Sequence, residues 1–204
     1  KVSHEYLRAA DFARSLDQSL TRLKTDYVDQ LLVHWPSTDG IPLAETMGAL
    51  AKAKCEGKAR DIGVANFNIA LTREAMRLCP EPFATLQAEY HPYLEQSKVL
   101  AFCRDAGLVF MAYCPLSRGR LFEDPVLADI AHARGKTIAQ VALRWLVQQG
   151  NIVPIPRSSK RAHMAESLAI FDFELSAEEM ARIFALKRTD GRIANPIGRA
   201  PAWD

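Results

Sequence analysis

The sequence lacks long apolar runs, an excess of charge of one sign, and paired cysteines. Its longest apolar stretches, such as residues 108–112, are far shorter than the roughly 20 residues that cross a bilayer. The 26 Lys and Arg residues nearly balance 24 Asp and Glu residues and are spread along the chain, which argues against a nucleic-acid or anionic-membrane surface. We therefore expect no nucleic acid and no membrane as partners, and a small, roughly neutral ligand instead.

The four cysteines form no CxxC pair and have no His at metal-ligand spacing. This pattern predicts reduced thiols, no metal site and a cytoplasmic location. The chain begins Lys1-Val2-Ser3, with neither an initiating Met nor the apolar segment of a signal peptide. We therefore expect the 204 residues to begin within a longer protein.

Apolar residues follow helical and strand periods in alternation along the chain. Caps and breakers such as Asn68, Gly107 and Thr137 mark the ends of the predicted elements. A Gly/Arg-rich loop is expected at 117–121 and an irregular tail at 188–204. Strands are predicted at 27–34, 60–65, 85–90, 108–113 and 152–155, and helices at 9–24, 43–57, 68–79, 96–106, 125–134, 137–149 and 176–186.

Five buried strands separated by helices predict a parallel sheet, in either a doubly wound fold or a (β/α) barrel. No GxGxxG follows any strand, so the dinucleotide fingerprint of the doubly wound fold is missing. A complete (β/α)8 barrel needs about 250 residues. We therefore predict an α/β fold in which residues 1–204 form a single domain, the last five or so βα units of a TIM barrel, with the first strands and helices absent.

The chemistry of such a barrel lies at the C-terminal ends of its strands. The strand at 27–34 ends in His34-Trp35, which places an imidazole where it can donate a hydrogen bond to a carbonyl oxygen. Asn66 and Gln87 follow the next two strands, and primary amides suit pairing with another amide. The residues alone leave simpler roles open: a partly buried structural His, and two loop hydrogen bonders.

Two further strand ends carry residues suited to a nucleotide. Tyr113 can stack on a heteroaromatic ring, although an aromatic residue at the end of a buried strand also suits the core. Residues 157–161, Arg-Ser-Ser-Lys-Arg, combine guanidinium and hydroxyl groups before a helix, which are the ingredients of a phosphate site. A solvated basic turn is the alternative for this segment.

Five segments in order match the motifs of one family, and the chain resembles the aldo-keto reductases from residue 1 to residue 204. The tail from Gly191 to Asp204 is also similar to that of bacterial 2,5-diketo-D-gluconate reductases, which also reduce methylglyoxal. The five segments are Asp26-Tyr27-Val28-Asp29 with Val33-His34-Trp35-Pro36, Arg60-Asp61-Ile62-Gly63-Val64-Ala65-Asn66-Phe67, Gln87-Ala88-Glu89-Tyr90-His91-Pro92, Ala112-Tyr113-Cys114-Pro115-Leu116 and Ile155-Pro156-Arg157-Ser158-Ser159.

The resemblance implies hydride transfer from NADPH to a carbonyl. His34 then orients the carbonyl, and Lys1 stands where the family's catalytic Lys belongs, although an ordinary lysine remains the alternative. That Lys lowers the pKa of a nearby catalytic Tyr. The Tyr and its partner Asp are expected upstream of residue 1, and no tyrosine of this chain replaces the missing one.

The resemblance also assigns cofactor contacts, with the nicotinamide carboxamide on Asn66 and Gln87 and its ring on Tyr113. Ala65 replaces the family's usual serine, so one hydrogen bond to the carboxamide is expected to be missing. Cys114 replaces a second serine, and His163 replaces a frequent Arg. Lys160 and Arg161 are candidates to supply the missing charge, and NADPH is expected over NADH. The full set of cofactor residues is Asn66, Gln87, Tyr113, Cys114, Leu116, Arg157, Ser158, Ser159 and His163.

Trp35 and Trp203 are predicted as apolar walls of the substrate pocket, with fastening of the tail as an alternative for Trp203. The predicted function is NADPH-dependent reduction of a small aldehyde or keto sugar acid, such as methylglyoxal or 2,5-diketo-D-gluconate, by a cytoplasmic monomer. The alternative is a catalytically incomplete nucleotide-binding or regulatory protein on the same scaffold.

Overall fold

The computed structural model describes residues 1–204, and helices alternate with five short strands along them. Every strand pair within a unit runs parallel, as the alternation predicts. The strands are β1 (Val28–Val33), β2 (Ala59–Ala65), β3 (Thr85–Glu89), β4 (Val109–Tyr113) and β5 (Ile152–Pro154), and the α-helices are α1 (Ala9–Leu23), α2 (Leu43–Cys55), α3 (Ile69–Leu78), α4 (Ser97–Asp105), α5 (Pro125–Arg134), α6 (Ile138–Gln148), α7 (Arg161–Leu168) and α8 (Ala177–Phe184).

The chain's internal contacts divide it into two compact units. The first unit comprises Lys1–Ala88, Lys98–Val109 and Asn195–Asp204, and the second comprises Glu89–Ser97 and Phe110–Ala194. This division does not test whether both units belong to one domain, so the single domain stays a prediction. No helix is both long and apolar enough to span a bilayer.

In the first unit, β1 pairs with β2, and β2 pairs with β3. Gly63 is required in β2, because a Cβ there would lie 2.2 Å from the backbone oxygen of Thr85. Phe12, Leu16 and Leu20 form the buried face of α1, at the spacing that predicts an amphipathic helix. The predicted cap of α3 is confirmed, since the Asn68 side chain accepts a hydrogen bond from the amide of Leu71.

In the second unit, β4 pairs with β5 through Phe110 and Ile152. The predicted cap Thr137 closes a capping box with Gln140, and Ser176 closes the predicted capping box of α8. Residues 117–121, predicted as a loop, lie in a 3-10 helix (Ser117–Glu123). This helix is interrupted, because Arg118 and Gly119 have positive φ angles. Apolar periodicity does not predict such a break.

The second unit also exposes an apolar surface that the sequence pattern does not single out. Met164 and Leu168 of α7 and Phe171 after it are 46, 72 and 68% exposed.

Candidate active site

The C-terminal ends of β1, β2 and β3 in the first unit are joined by main-chain hydrogen bonds. Val2 forms a parallel bridge with Val33, donating its amide to Leu32 O (2.9 Å) and accepting the amide of His34 (2.9 Å). The chain before His34 is therefore fixed on the side of Val2. Lys1, which precedes Val2, therefore lies near the end of β1.

Asn66 joins the end of β2 to both neighbouring strands. Its side-chain amide donates to the backbone oxygen of His34 (2.9 Å), and its backbone amide donates to Gln87 O (2.8 Å). Its φ of 62° lies in the left-handed region, which asparagine tolerates better than most residues. Asn66 and Gln87 are 2% and 3% exposed, so both predicted nicotinamide ligands are buried at adjacent strand ends.

Lys1 contacts this network through its side chain. Its ammonium donates a hydrogen bond to the Gln87 side-chain oxygen (2.7 Å). Although Lys1 as a whole residue is exposed, this contact is partly buried, and desolvation lowers the pKa of the ammonium. Lys1 therefore lies among the predicted site residues rather than in bulk solvent.

His34 is half-buried directly after β1. Burial and the positive charges of Lys1 and Arg199 lower its pKa to about 4. The imidazole is consequently neutral at pH 7, with one N–H donor and one acceptor nitrogen. A neutral imidazole can donate a hydrogen bond to a carbonyl oxygen without competing for its proton.

The two predicted pocket tryptophans contact each other within the first unit. Their ring centroids are 6.2 Å apart in an edge-to-face arrangement. Trp35 is 7% exposed and also lies against the His34 ring, with the centroids 6.4 Å apart. The half-buried Trp203 thus extends an apolar surface that begins beside the imidazole.

In the second unit, the chain makes a sharp turn after β4. Tyr113 is half-buried, and burial raises the pKa of its phenol. Cys114 and Ser117 have left-handed φ angles of 51° and 49°, which are costly for side chains of this kind and cluster at ligand sites. The Ser117 hydroxyl is buried without a hydrogen-bond partner in the chain. Leu116, a predicted cofactor residue, lies half-buried between them.

Ser117 is a candidate site residue that the sequence reasoning missed. Its only sequence signal is its place in a Gly/Arg-rich segment, which predicts a loop. An orphaned buried hydroxyl indicates a missing partner, because unpaired polar groups are costly.

The predicted phosphate segment precedes α7. Ser158 accepts a hydrogen bond from the amide of Lys160 (3.0 Å), whereas Lys160 itself provides no side-chain cap for the helix. The first amides of α7 therefore lack a side-chain acceptor, and such amides bind anions. Arg157, Ser159 and His163 are exposed beside them, so the donor set fits a phosphate.

Tyr90 and Tyr93 are poor candidates for a catalytic acid. Burial raises the pKa of Tyr90, whose hydroxyl donates to Gln149 (2.9 Å). Burial also raises the pKa of Tyr93 to about 12, and its hydroxyl donates to Asp124 (2.8 Å). Both proton donors are committed to structural hydrogen bonds.

A buried carboxylate in the second unit was also missed. Glu89 and His91 have fully buried side chains that are joined by a 2.8 Å hydrogen bond. The same carboxylate accepts the amides of Ile193 (2.8 Å) and Ala194 (2.7 Å). Glu89 therefore anchors the start of the C-terminal tail, over a sequence distance that no local pattern reveals.

The chain is similar in sequence to known reductases. A sequence model described as the aldo/keto reductase family matches residues 1–188. The chain is 40% identical over 206 residues to the methylglyoxal reductase DkgB of Escherichia coli O157:H7, covering 100% of this chain and 76% of that protein. It is 39% identical over 182 residues to the glyoxal reductase of Bacillus subtilis (strain 168), covering 89% of this chain and 65% of the relative.

Solved structures extend the comparison to the fold. The crystal structure of a putative 2,5-diketo-D-gluconic acid reductase B is 47% identical, with a TM-score of 0.97 over 100% of this chain and 72% of that one. An aldo-keto reductase of Bombyx mori in complex with NADP is 30% identical, with a TM-score of 0.86 over 95% of this chain and 68% of that one. The likeness confirms the predicted α/β fold of the (β/α)8 barrel type, of which five parallel strands are described here.

Proposed function

Because the chain belongs to the aldo/keto reductase family, and is thus an oxidoreductase, we propose that it uses NADPH to reduce a small aldehyde or keto sugar acid to an alcohol. Methylglyoxal and 2,5-diketo-D-gluconate are the substrates to test first, since relatives are named for them. The observation that carries the proposal is the half-buried, neutral His34, with the Lys1 ammonium and the Gln87 amide at neighbouring strand ends.

His34 is proposed to orient the substrate carbonyl. Its low pKa keeps the imidazole neutral through the physiological range, so an N–H can hold the carbonyl oxygen. Trp35, whose ring lies beside the imidazole, is proposed to exclude water from one side of the carbonyl. Lys1 adds a positive charge, which favours negative charge developing on the oxygen.

NADPH, when bound, supplies the hydride for this chemistry. Asn66 and Gln87 are proposed to hold its carboxamide, and Tyr113 to stack on its nicotinamide ring. Cys114, Leu116 and the orphaned hydroxyl of Ser117 are assigned to its pyrophosphate region. Binding of the pyrophosphate there would give the buried Ser117 hydroxyl the hydrogen-bond partner that it lacks within the chain.

The adenosine 2′-phosphate is assigned to the segment before α7. Arg157 and Ser158 supply a guanidinium and a hydroxyl, and the uncapped first turn of α7 supplies amides. Ser159 and His163 complete the assignment. NADH has no 2′-phosphate, so these groups favour NADPH.

The test measures NADPH oxidation with methylglyoxal and with 2,5-diketo-D-gluconate in the full-length protein. His34→Ala should lower kcat/KM by about 100-fold or more, since positioned acid–base groups contribute factors of this size. His132→Ala, at an exposed histidine of α5, is the matched control and should leave kcat/KM unchanged.

Three results would contradict parts of the proposal. Equal losses in both variants would remove His34 from the reaction. A preference for NADH would overturn the phosphate assignment. Tight NADPH binding without turnover of any carbonyl would instead favour a nucleotide-binding protein that lacks a catalytic acid.

A further inference from the structure

The last residues of the chain form hydrogen bonds with the start of α3 in the first unit. The Asn68 side-chain amide donates to the backbone oxygen of Ala202 (2.8 Å). The Asp204 carboxylate accepts the backbone amide of Ile69, the first residue of α3 (2.9 Å). We call these two hydrogen bonds, Asn68 to Ala202 and Ile69 to Asp204, the tail clasp.

The tail clasp completes the N-terminal cap of α3. The first amides of a helix have no partner within the helix, and they attract negative charge. Asn68 satisfies the amide of Leu71 with its oxygen, while Asp204 satisfies the amide of Ile69. Asn68 thereby uses both ends of its side-chain amide, one for the helix and one for the tail.

Trp203 lies between the two residues that the clasp holds. Its indole N–H donates to the Asn195 side chain (2.9 Å), and its ring meets the Trp35 ring edge to face. Trp203 is half-buried, whereas Ala202 and Asp204 are exposed. The clasp holds the residues on both sides of Trp203, so it helps to fix the ring beside Trp35.

We propose that Asn68 and Asp204 are positioning residues that hold Trp203 against Trp35 and thereby set the size of carbonyl substrate accepted beside His34. This inference rests on the proposed function of the site. The clasp consists of exposed hydrogen bonds, which are individually weak, so it opens at low cost. A substrate larger than methylglyoxal can then enter when Trp203 moves, and a small substrate is held when the clasp is closed.

The test compares Asp204→Ala and Asn68→Asp with the matched control Asp190→Ala. Asp190 is an exposed tail residue to which the structure gives no hydrogen bond or ion pair. Asn68→Asp keeps the oxygen that caps α3, but it removes the donor to Ala202 and places a second carboxylate beside Asp204. Loss of tail docking is thus separated from loss of the helix cap.

Both clasp variants should raise KM for methylglyoxal by about three- to tenfold, the range expected for one or two lost hydrogen bonds. The kcat value and the Kd for NADPH should stay within about twofold of wild type, because the clasp touches neither His34 nor the cofactor residues. Asp204→Asn keeps an acceptor for Ile69 and should recover most of the loss. The KM for a bulkier aryl glyoxal should fall relative to the KM for methylglyoxal.

Hydrogen exchange at the Ile69 amide provides a readout that does not depend on activity. Exchange there should be faster in Asp204→Ala than in wild type and unchanged in Asp190→Ala. Faster exchange with unchanged KM values would overturn the positioning role and leave only a cap. Unchanged exchange would overturn the clasp itself, whereas a wild type that reduces no carbonyl would refute the proposed function while leaving the exchange result intact.

Discussion

The C-terminal tail is held at two places by carboxylates, one of which is buried and the other exposed. In the second unit, buried Glu89 accepts the amides of Ile193 and Ala194 and is fully enclosed with His91. In the first unit, exposed Asp204 accepts one amide at the start of α3. The same functional group is therefore expected to form a stable anchor in the second unit and a contact that opens more readily in the first.

The difference follows from what surrounds each carboxylate. A buried charge is tolerated only with full hydrogen bonding, and losing its partners is costly. An exposed charge exchanges its partner for water at little cost. Opening is therefore expected at the end that carries Trp203, where movement changes the proposed substrate pocket.

Removing the buried anchor should have the largest effect. Glu89→Ala leaves two amides and a buried His91 without their acceptor, and should lower the free energy of unfolding by about 3–5 kcal/mol. Urea unfolding followed by circular dichroism measures it. Glu74→Ala, at an exposed position in the middle of α3, is the control and should change stability by less than about 0.5 kcal/mol. Similar losses in the two variants would contradict the account of the anchor.

A smaller loss is expected from crowding the same anchor. A Cβ on Gly191 would lie 1.9 Å from the backbone oxygen of Tyr93, so the tail must shift in Gly191→Ala. Forced shifts of this kind cost about 1–3 kcal/mol. Gly48→Ala in α2 meets no atom within 4 Å and should instead stabilise the protein by about 0.5–1 kcal/mol, as alanine does within helices. Thermal melts that show the same sign for both substitutions would refute this reasoning.

These anchors also show what the sequence could predict. The strands, the cap Asn68 and the capping boxes carry local signals in period and residue type, and the structure confirms them. The resemblance to a family singled out His34, Asn66 and Gln87, and the structure places all three at neighbouring strand ends. Their catalytic and binding roles remain predictions.

The missed features all depend on distant or unusual geometry. Glu89 meets Ile193 and Ala194 across more than 100 residues, and Asp204 meets Ile69 across 135. The left-handed backbone at Cys114 and Ser117 has no signal either, because neither residue type favours that region. Contacts of this kind are set by tertiary packing, which no local period encodes.

Lowering the pH should affect the contributions of His34 and Glu89 to stability over different pH ranges. Burial and nearby positive charge lower the pKa of His34 from 6.5 to about 4, so its contribution to stability is complete above pH 6.5 and declines as pH falls toward 4. Burial opposes ionisation of Glu89, but hydrogen bonds from His91, Ala194 and Ile193 outweigh it and lower the pKa below 4.5, so its contribution is lost only as pH falls below that value.

The pH prediction is checked with His34→Ala. Since His34 is only half-buried, the wild type should lose no more than about 1 kcal/mol relative to this variant between pH 7 and pH 5. Glu74→Ala, at an exposed position of α3, should parallel the wild type over that interval. A wild-type loss that begins only below pH 4 would contradict the assignment to His34.

The smallest effect concerns salt at the exposed contact. A carboxylate at a helix N-terminus is screened by ions, so raising salt from about 0.05 to 1 M should raise KM for methylglyoxal by about twofold or less. In Asp204→Asn this part of the salt dependence should disappear. An equal salt response in wild type and Asp204→Asn would show that the salt dependence of KM does not come from the Asp204 contact.

Native-state hydrogen exchange of the full-length protein tests the contrast between the two anchors most directly. The amides of Ile193 and Ala194 should exchange only through large-scale unfolding, while the Ile69 amide should exchange at least about 100-fold faster through local opening. Equal protection of these three amides, with one shared dependence on denaturant, would contradict that contrast, because the tail would then open as a single unit.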